Sequence, residues 1–192
     1  MMLAWLLIAG LASPLAARAG VVDEGPVVHE QRVYYDLRAT SLRELRREMR
    51  ERKALAGIDG KALGLTRQNI ATEFTLMPQG RGCRLENVRV TLSITIHLPR
   101  WSPPRTPAPF LQERWDRMIT GLTVHEEGHR DNAIAAAREL HRALMALGES
   151  RNCLALERAA RRASFQAQLR FRLRDRHYDR QTRHGETQGS VL

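Results

Sequence analysis

Residues 115–147, WDRMITGLTVHEEGHRDNAIAAARELHRALMAL, carry a helical pattern from end to end. Apolar residues and two histidines recur at intervals of three or four positions: Trp115, Met118, Leu122, His125, His129, Ala133, Ala136, Leu140, Leu144 and Leu147. This spacing places all of them on one face of an α-helix. Gly148 suits a C-terminal cap. We therefore predict a long helix that starts after Phe110, ends near Gly148 and buries both histidines.

A period of two residues precedes this helix. The segment 85–99 alternates polar residues with Val88, Val90, Leu92, Ile94, Ile96 and Leu98, which predicts a strand with one buried face. Segments rich in β-branched and aromatic residues predict two more strands, at 27–35 and 70–78. Residues 40–55 repeat leucine and methionine at helical spacing and predict a short helix. Five prolines between positions 99 and 109 indicate a loop before the long helix.

A second helix follows the long one. Its pattern starts near Leu154 and continues to about Arg174, and the last eighteen residues form a polar tail. Strands and a short helix followed by two long helices predict an α+β fold. We expect a small antiparallel or mixed sheet that packs on the long helix, with the second helix antiparallel to it.

The first nineteen residues differ in kind from the rest of the chain. An apolar run spans residues 3–11, and the small residues that end at Ala19 fit a signal cleavage site, although no lysine or arginine precedes the run. We interpret residues 1–19 as a cleaved signal peptide and residues 20–192 as one secreted or periplasmic domain; an uncleaved N-terminal anchor is the alternative. No second stretch is apolar enough to span a membrane, so we expect no transmembrane domain in the mature chain.

The chain carries a formal net charge of +10 at pH 7. Many of its arginines stand in helical segments mixed with glutamate, a pattern typical of solvated helix faces. Aromatic residues make up 5% of the chain and do not alternate with basic ones, which argues against nucleic-acid binding. The charge is compatible with contact to an anionic envelope surface, but by itself it identifies no partner.

Two cysteines, Cys83 and Cys153, stand far apart in the sequence. An even pair in an exported protein is more often bridged than free, and the alternative is two buried thiols. A bridge that closes so long a loop could contribute around 4 kcal/mol to stability.

The long helix contains His125-Glu126-Glu127-Gly128-His129, the HExxH spacing of zinc hydrolases. Residues four apart lie one turn apart on the same helix face, so the two imidazoles can bind one Zn²⁺. Glu126 lies beside them, where its carboxylate can act as general base toward zinc-bound water. Gly128 weakens the helix by roughly 1 kcal/mol relative to alanine, which suggests that another residue packs closely against it. The alternative interpretation is a pair of core histidines.

A catalytic zinc site needs a third protein ligand, which this helix does not supply. The position six residues after His129 is Ala135, and Glu139 lies roughly 15 Å along the axis. A returning antiparallel helix regains the level of the metal only around residues 171–176, because the first helix climbs about 27 Å beyond His129. Glu157 would therefore lie near the far end of the hairpin.

The same distance argument directs the search to the C-terminal tail, DRHYDRQTRHGETQG at residues 175–189. His184 is the leading candidate for the third ligand, because its Thr-x-His-Gly context can bend back toward the helix. Asp179 and His177 are the alternative metal ligands. Tyr178 could donate a hydrogen bond to an oxyanion. The competing interpretation is a polar, frayed terminus.

Several features follow one another in an order typical of one bacterial family: Tyr35-Asp36, Leu42, Leu45, Cys83, Leu98-Pro99, Trp115, His125-Glu126-x-Gly128-His129, Cys153 and Tyr178-Asp179-x-x-Thr182-x-His184-Gly185. In this combination the chain resembles the predicted secreted zinc-dependent proteases, a family otherwise catalogued as a domain of unknown function. The resemblance covers nearly all of the mature chain. It implies a compact zincin-like core and a disulfide between Cys83 and Cys153.

These observations lead to one hypothesis and two rivals. The chain is expected to be an exported zinc metallopeptidase that cleaves a peptide or protein substrate, with His125, His129 and His184 on the metal. Glu126 is the expected base, and the strand at 85–98 could align an extended substrate by edge pairing. The rivals are a zinc-dependent cell-wall amidase and a non-catalytic exported zinc-binding protein, in which four ligands would close the coordination sphere.

Overall fold

The computed structural model describes residues 25–60 and 62–192, so the predicted signal peptide lies outside the described residues. Within them, three strands, three helices and a short 3₁₀ turn follow one another: β1 (Val27–Leu37), α1 (Leu42–Leu55), β2 (Leu65–Gln79), β3 (Gly82–Trp101), α2 (Pro109–Met145), α3 (Cys153–Thr182) and the 3₁₀ turn (Glu186–Gln188). This content confirms the predicted α+β class.

The strands form one mixed sheet in the order β1-β3-β2. β1 runs parallel to β3, and β2 runs antiparallel to it. The alternation predicted for β3 is confirmed, because this strand buries Val90, Leu92, Ile94, Ile96 and Leu98. The buried side chains belong to the same hydrophobic core as the apolar face of α2.

The central place of β3 corrects one prediction. From Thr91 to His97 both edges of this strand are hydrogen-bonded, to β1 on one side and to β2 on the other, so this stretch cannot pair with an extended substrate. Sequence alternation reports which face of a strand is buried but not which neighbours flank it. Among the described strands, the outer positions of the sheet belong to β1 and β2.

α2 and α3 form the predicted antiparallel hairpin, since Asp175 of α3 meets His129 while the later Thr182 meets the earlier His125. α2 contacts both β3 and α3, and it therefore occupies the middle of the domain. In the part of the chain that the structure describes, no helix combines the length and apolar character needed to cross a membrane.

α3 extends about two turns beyond its predicted end, to Thr182. Its buried apolar residues end at Phe171, but Asp175, Tyr178 and Thr182 continue the face toward α2 with polar side chains. These side chains find partners on α2, so the helix continues through what hydrophobic periodicity assigns to a tail. The second helix was predicted to come level with the metal site around residues 171–176. This prediction is confirmed, because Asp175 of α3 lies opposite His129.

A disulfide joins the start of β3 to the start of α3. Cys83 and Cys153 are bonded with an S–S distance of 2.09 Å, which confirms the predicted pairing. Beside the bridge, Cys83 and Ser150 exchange two backbone hydrogen bonds of 2.8 Å each. Asn152 caps α3, and its side-chain oxygen accepts a hydrogen bond of 2.8 Å from the backbone N–H of Ala155. The beginning of α3 is thus fixed to the sheet.

Replacing both Cys83 and Cys153 with alanine is expected to destabilise the domain by about 2–5 kcal/mol. The physical reason is that the bridge spans 70 residues and restricts the unfolded chain. Urea unfolding of the oxidised wild type and of the double variant measures the difference, and reduced wild type should approach the variant. A difference below about 0.5 kcal/mol would show that the bridge contributes little.

Candidate metal centre

Two histidines of α2 meet at their Nε2 atoms. His125 and His129 are one turn apart, on the helix face that the sequence period assigns to the core. His125 is 5% exposed. The two Nε2 atoms lie 3.2 Å apart. Both rings therefore present a nitrogen to one place beside the helix.

Asp179, near the C-terminal end of α3, completes a group of three. Its Oδ1 lies 3.4 Å from Nε2 of His125 and 3.2 Å from Nε2 of His129. Ligand atoms of a tetrahedral zinc site, with bonds of about 2.0–2.1 Å, are separated by about 3.3 Å. Across the described residues, this is the one group of three or more His, Cys, Asp or Glu side chains placed to hold a metal ion. Its donor atoms and their spacing fit a metal site.

Residues around the group fix both rings. Nδ1 of His129 lies 2.7 Å from Oδ1 of Asp175, and Nδ1 of His125 lies 3.0 Å from Oε1 of Gln188. An Nδ1–H that donates to such an oxygen leaves the Nε2 lone pair available to a metal. The hydroxyl of Thr182 lies 3.3 Å from Nδ1 of His125. The histidines are thus oriented by α3 and by the 3₁₀ turn.

Metal-free His129 holds its proton more strongly than an isolated histidine. Burial opposes the charge, but the hydrogen bond to Asp175 and the neighbouring carboxylates outweigh it, so the pKa of His129 is raised. Burial lowers the pKa of His125, and a positive His129 lowers it further. Because a metal binds only the deprotonated ring, protons compete with the metal for this site.

Glu126 lines a cavity beside the group of three without belonging to the group. It is 3% exposed, and its Oε2 accepts a hydrogen bond of 2.7 Å from the hydroxyl of Thr66 at the start of β2. A Cβ on Gly64 would lie 2.6 Å from Oε1 of Glu126, so the loop before β2 closes tightly over this side chain. Burial raises the pKa of Glu126 to about 7, against the lowering effect of the Thr66 hydroxyl. Such a group can accept and release a proton near neutral pH.

Tyr178 explains the glycine in the motif. Its ring stacks on His125 with centroids 5.3 Å apart and meets His129 edge-on at 5.1 Å. A Cβ on Gly128 would overlap the ring of Tyr178, which confirms the close packing predicted for this glycine. The Tyr178 hydroxyl accepts a hydrogen bond of 3.0 Å from Gln188. Tyr178 packs against both histidines and is not among the residues that line the cavity.

His184, the leading sequence candidate for the third ligand, lies beside the group but outside it. Its Nδ1 is 3.4 Å from Oδ1 of Asp179, and its side chain is 68% exposed. Asp179, an alternative ligand in the sequence analysis, groups with the two histidines. It does so because α3 continues to Thr182 and holds the Asp179 carboxylate beside their rings. His177, the other alternative, is exposed on α3 and is not part of the group.

Gln188, like Thr66, is a contact of the site that sequence reasoning missed. Gln188 lies on the 3₁₀ turn, which packs so closely on α2 that a Cβ on Gly121 would overlap its backbone. Gly185 and Gly189 flank the turn with φ values of 86° and 94°, which glycine adopts without strain. Two glycines around a short polar segment predict a tight turn, and they are the signal in the sequence that the tail is folded.

The group opens into a cavity of about 160 Å³. Leu63, Leu65 and Leu122 contribute apolar side chains to its lining, together with the polar side chains of the site. Tyr35 holds the loop before β2 in place, because its hydroxyl donates a hydrogen bond of 2.7 Å to the carbonyl oxygen of Leu63. A small ligand in this cavity would contact both Glu126 and the metal group.

The model of one protein family, described as "Bacterial protein of unknown function (DUF922)", matches residues 32–185. The chain belongs to this bacterial family. The DUF922 match begins within β1 and includes the rest of the sheet, the helical hairpin and all three residues of the metal group. No curated protein and no solved structure matches the chain. Because the family description assigns no activity, the case for a function depends on the site itself.

Single substitutions separate the candidate ligands. Asp179→Ala is expected to lower zinc affinity more than about 100-fold, because loss of a ligand exceeds the 10–100-fold typical of losing a partner of a ligand. His184→Ala should lower it about tenfold or less, and His177→Ala, the exposed control, should leave it unchanged. Competition with a chromogenic chelator at fixed pH measures all three. Wild-type affinity in Asp179→Ala, or a larger loss in His184→Ala, would reverse the assignment.

Proposed function

We propose that the protein is an exported zinc-dependent metallopeptidase of zincin-like architecture. The observation that carries this proposal is the position of Glu126, whose carboxylate is buried beside the His/Asp group and lines the same cavity without belonging to the group. A structural metal site has no need of such a carboxylate. The Cys83–Cys153 disulfide is consistent with maturation outside the cytoplasm.

The residues of the group fit zinc. Two imidazole nitrogens and one carboxylate oxygen are donors that zinc prefers, and three protein ligands leave a fourth position, as in catalytic zinc sites. A zinc ion bound there would polarise a substrate carbonyl and lower the pKa of a coordinated water.

Glu126 is the general base of the proposed reaction. The hydroxyl of Thr66 holds one carboxylate oxygen, so the side chain keeps a fixed orientation toward the cavity. With a pKa of about 7 in the metal-free chain, the carboxylate can take a proton from the attacking water. A nearby cation lowers this pKa and favours the ionised base. The water oxygen bonds to the carbonyl carbon, and the proton held by Glu126 then passes to the amine nitrogen as the C–N bond breaks, which leaves a carboxylic acid and an amine.

An extended peptide binds along the outer edge of β2 in this proposal. β2 pairs with β3 on one side, and Leu65 and Thr66 at its start line the cavity. Backbone groups on a free edge can hydrogen-bond to a peptide in an extended conformation. β2 thus takes the role that the sequence suggested for β3.

One observation favours a second candidate, a non-catalytic zinc-binding protein. Nδ1 of His184 lies 3.4 Å from Oδ1 of Asp179. Rotation of this exposed side chain could bring a fourth protein ligand to the metal, and a closed coordination sphere is typical of structural zinc sites. An activity measurement distinguishes the two candidates.

Glu126→Gln tests the peptidase proposal against the matched control Glu127→Gln. Glu127 forms an ion pair of 2.6 Å with Arg32 and does not line the cavity, so the control removes the same charge from a neighbouring position. Zinc-loaded wild type and both variants are incubated with denatured proteins and with purified cell wall, and products are identified by mass spectrometry. We expect Glu126→Gln to retain zinc and lose about 100-fold or more of the activity, while Glu127→Gln remains like wild type.

Three other results would change the conclusion. Equal activity of Glu126→Gln and wild type would exclude Glu126 as the base. Hydrolysis of wall amides without cleavage of proteins would replace the peptidase with an amidase. Retention of zinc with neither activity in the wild type would favour the non-catalytic candidate.

A further inference from the structure

A second cavity adjoins the metal cavity. It has a volume of about 260 Å³ and lies between α1 and the C-terminal residues that follow α3. The two cavities share Leu63 and His184 in their linings. Because His184 also lies 3.4 Å from Asp179, one side chain separates the second cavity from the metal group.

The second cavity is basic. Arg46, Arg50 and Arg183 line it, against one acidic residue, Glu186. Arg46 is already occupied, because its Nε and Nη2 donate to the backbone oxygen of Leu192 at 3.3 and 2.8 Å. The guanidinium groups of Arg50 and Arg183 make no ion pair or hydrogen bond with any of the described residues. Two such groups at one opening favour an anionic ligand.

The backbone is strained where the C-terminal turn reaches this cavity. Arg183 and His184 have left-handed φ values of 50° and 55°, which residues other than glycine seldom adopt. Hydrogen bonds hold the turn, from the N–H of His184 to the carbonyl oxygen of Asp179 at 2.8 Å and from the N–H of Ser190 to the carbonyl oxygen of Gly185 at 3.1 Å. Arg183 is the left-handed cap that ends α3. The turn places the side chains of Arg183 and His184 in the lining of the cavity.

We propose that the second cavity is a substrate subsite for a carboxylate, so that the enzyme prefers peptides with an acidic group close to the cleaved bond. Arg50 and Arg183 bind the carboxylate, and Met49 and Val191 contact the carbon chain that carries it. This inference rests on the proposed peptidase function. The carboxylate comes from a Glu or Asp side chain or from a free peptide C-terminus, which offer the same two oxygens.

Paired fluorogenic peptides test the subsite. One series places Glu at each position around the cleaved bond, the matched series places Gln there, and a further pair compares a free C-terminal acid with its amide. For zinc-loaded wild type we expect kcat/KM to be about tenfold or more higher for one acidic peptide than for its neutral partner. A preference confined to the last pair identifies the C-terminus as the source of the carboxylate.

Arginine variants connect this preference to the cavity. Arg50→Gln and Arg183→Asn should abolish it, and asparagine is chosen at 183 because it tolerates a left-handed backbone. Arg47→Gln and Arg180→Asn remove the same charge at exposed positions outside the cavity and should leave the preference unchanged. Zinc content and thermal unfolding verify that each variant is folded, and Arg183→Gly replaces Arg183→Asn if that variant is not.

Binding of the same peptides to zinc-loaded Glu126→Gln, measured by fluorescence anisotropy, separates the two proposals. If wild type cleaves acidic and neutral peptides equally well, or if both arginine variants retain the acidic preference, the subsite proposal is overturned. The peptidase proposal stands in either case. Arginine-dependent binding of acidic peptides without cleavage by wild type overturns the peptidase and keeps the cavity as a carboxylate site. If the peptides are neither bound nor cleaved, the subsite proposal is overturned.

Discussion

Two imidazoles on the buried face of α2 impose the constraint on which the rest of the structure depends. A buried polar group without a partner costs folding free energy, and the two rings of His125 and His129 need partners from elsewhere in the chain. The end of α3 and the turn after it supply them through Asp175, Asp179 and Gln188. The contacts that satisfy the rings also place them where, with Asp179, they could hold a metal ion. The folding of the C-terminal segment and the formation of this group are therefore coupled.

The hairpin of α2 and α3 is fixed at both of its ends. At one end, the Cys83–Cys153 bridge joins the start of α3 to β3. At the other end, Tyr178 packs directly on Gly128. A shift of one residue along α3 would turn Asp179 by about 100° around the helix and away from the histidines. Restraint at both ends therefore preserves the geometry that a metal site requires.

Hydrophobic periodicity predicted the elements whose buried faces are apolar, which are β3, α2 and the first part of α3. It did not predict the last two turns of α3, because their buried face is polar and becomes favourable only through contacts with α2. Helix rise alone predicted the level at which α3 meets the histidines, and Asp175 lies at that level. The choice of Asp179 over His184 required knowledge of where the helix ends, and that depends on packing across the hairpin. The neighbours of β3 depend in the same way on contacts that alternation does not encode.

Crystals of the zinc-loaded chain, measured on both sides of the zinc absorption edge, test the central claim most directly. We predict a single anomalous peak between α2 and α3, at about 2.0–2.2 Å from Nε2 of both histidines and from a carboxylate oxygen of Asp179. Glu126 should lie beside the ion without binding it. Zinc held by His184 in place of Asp179, or a peak away from the hairpin, would contradict the site described above.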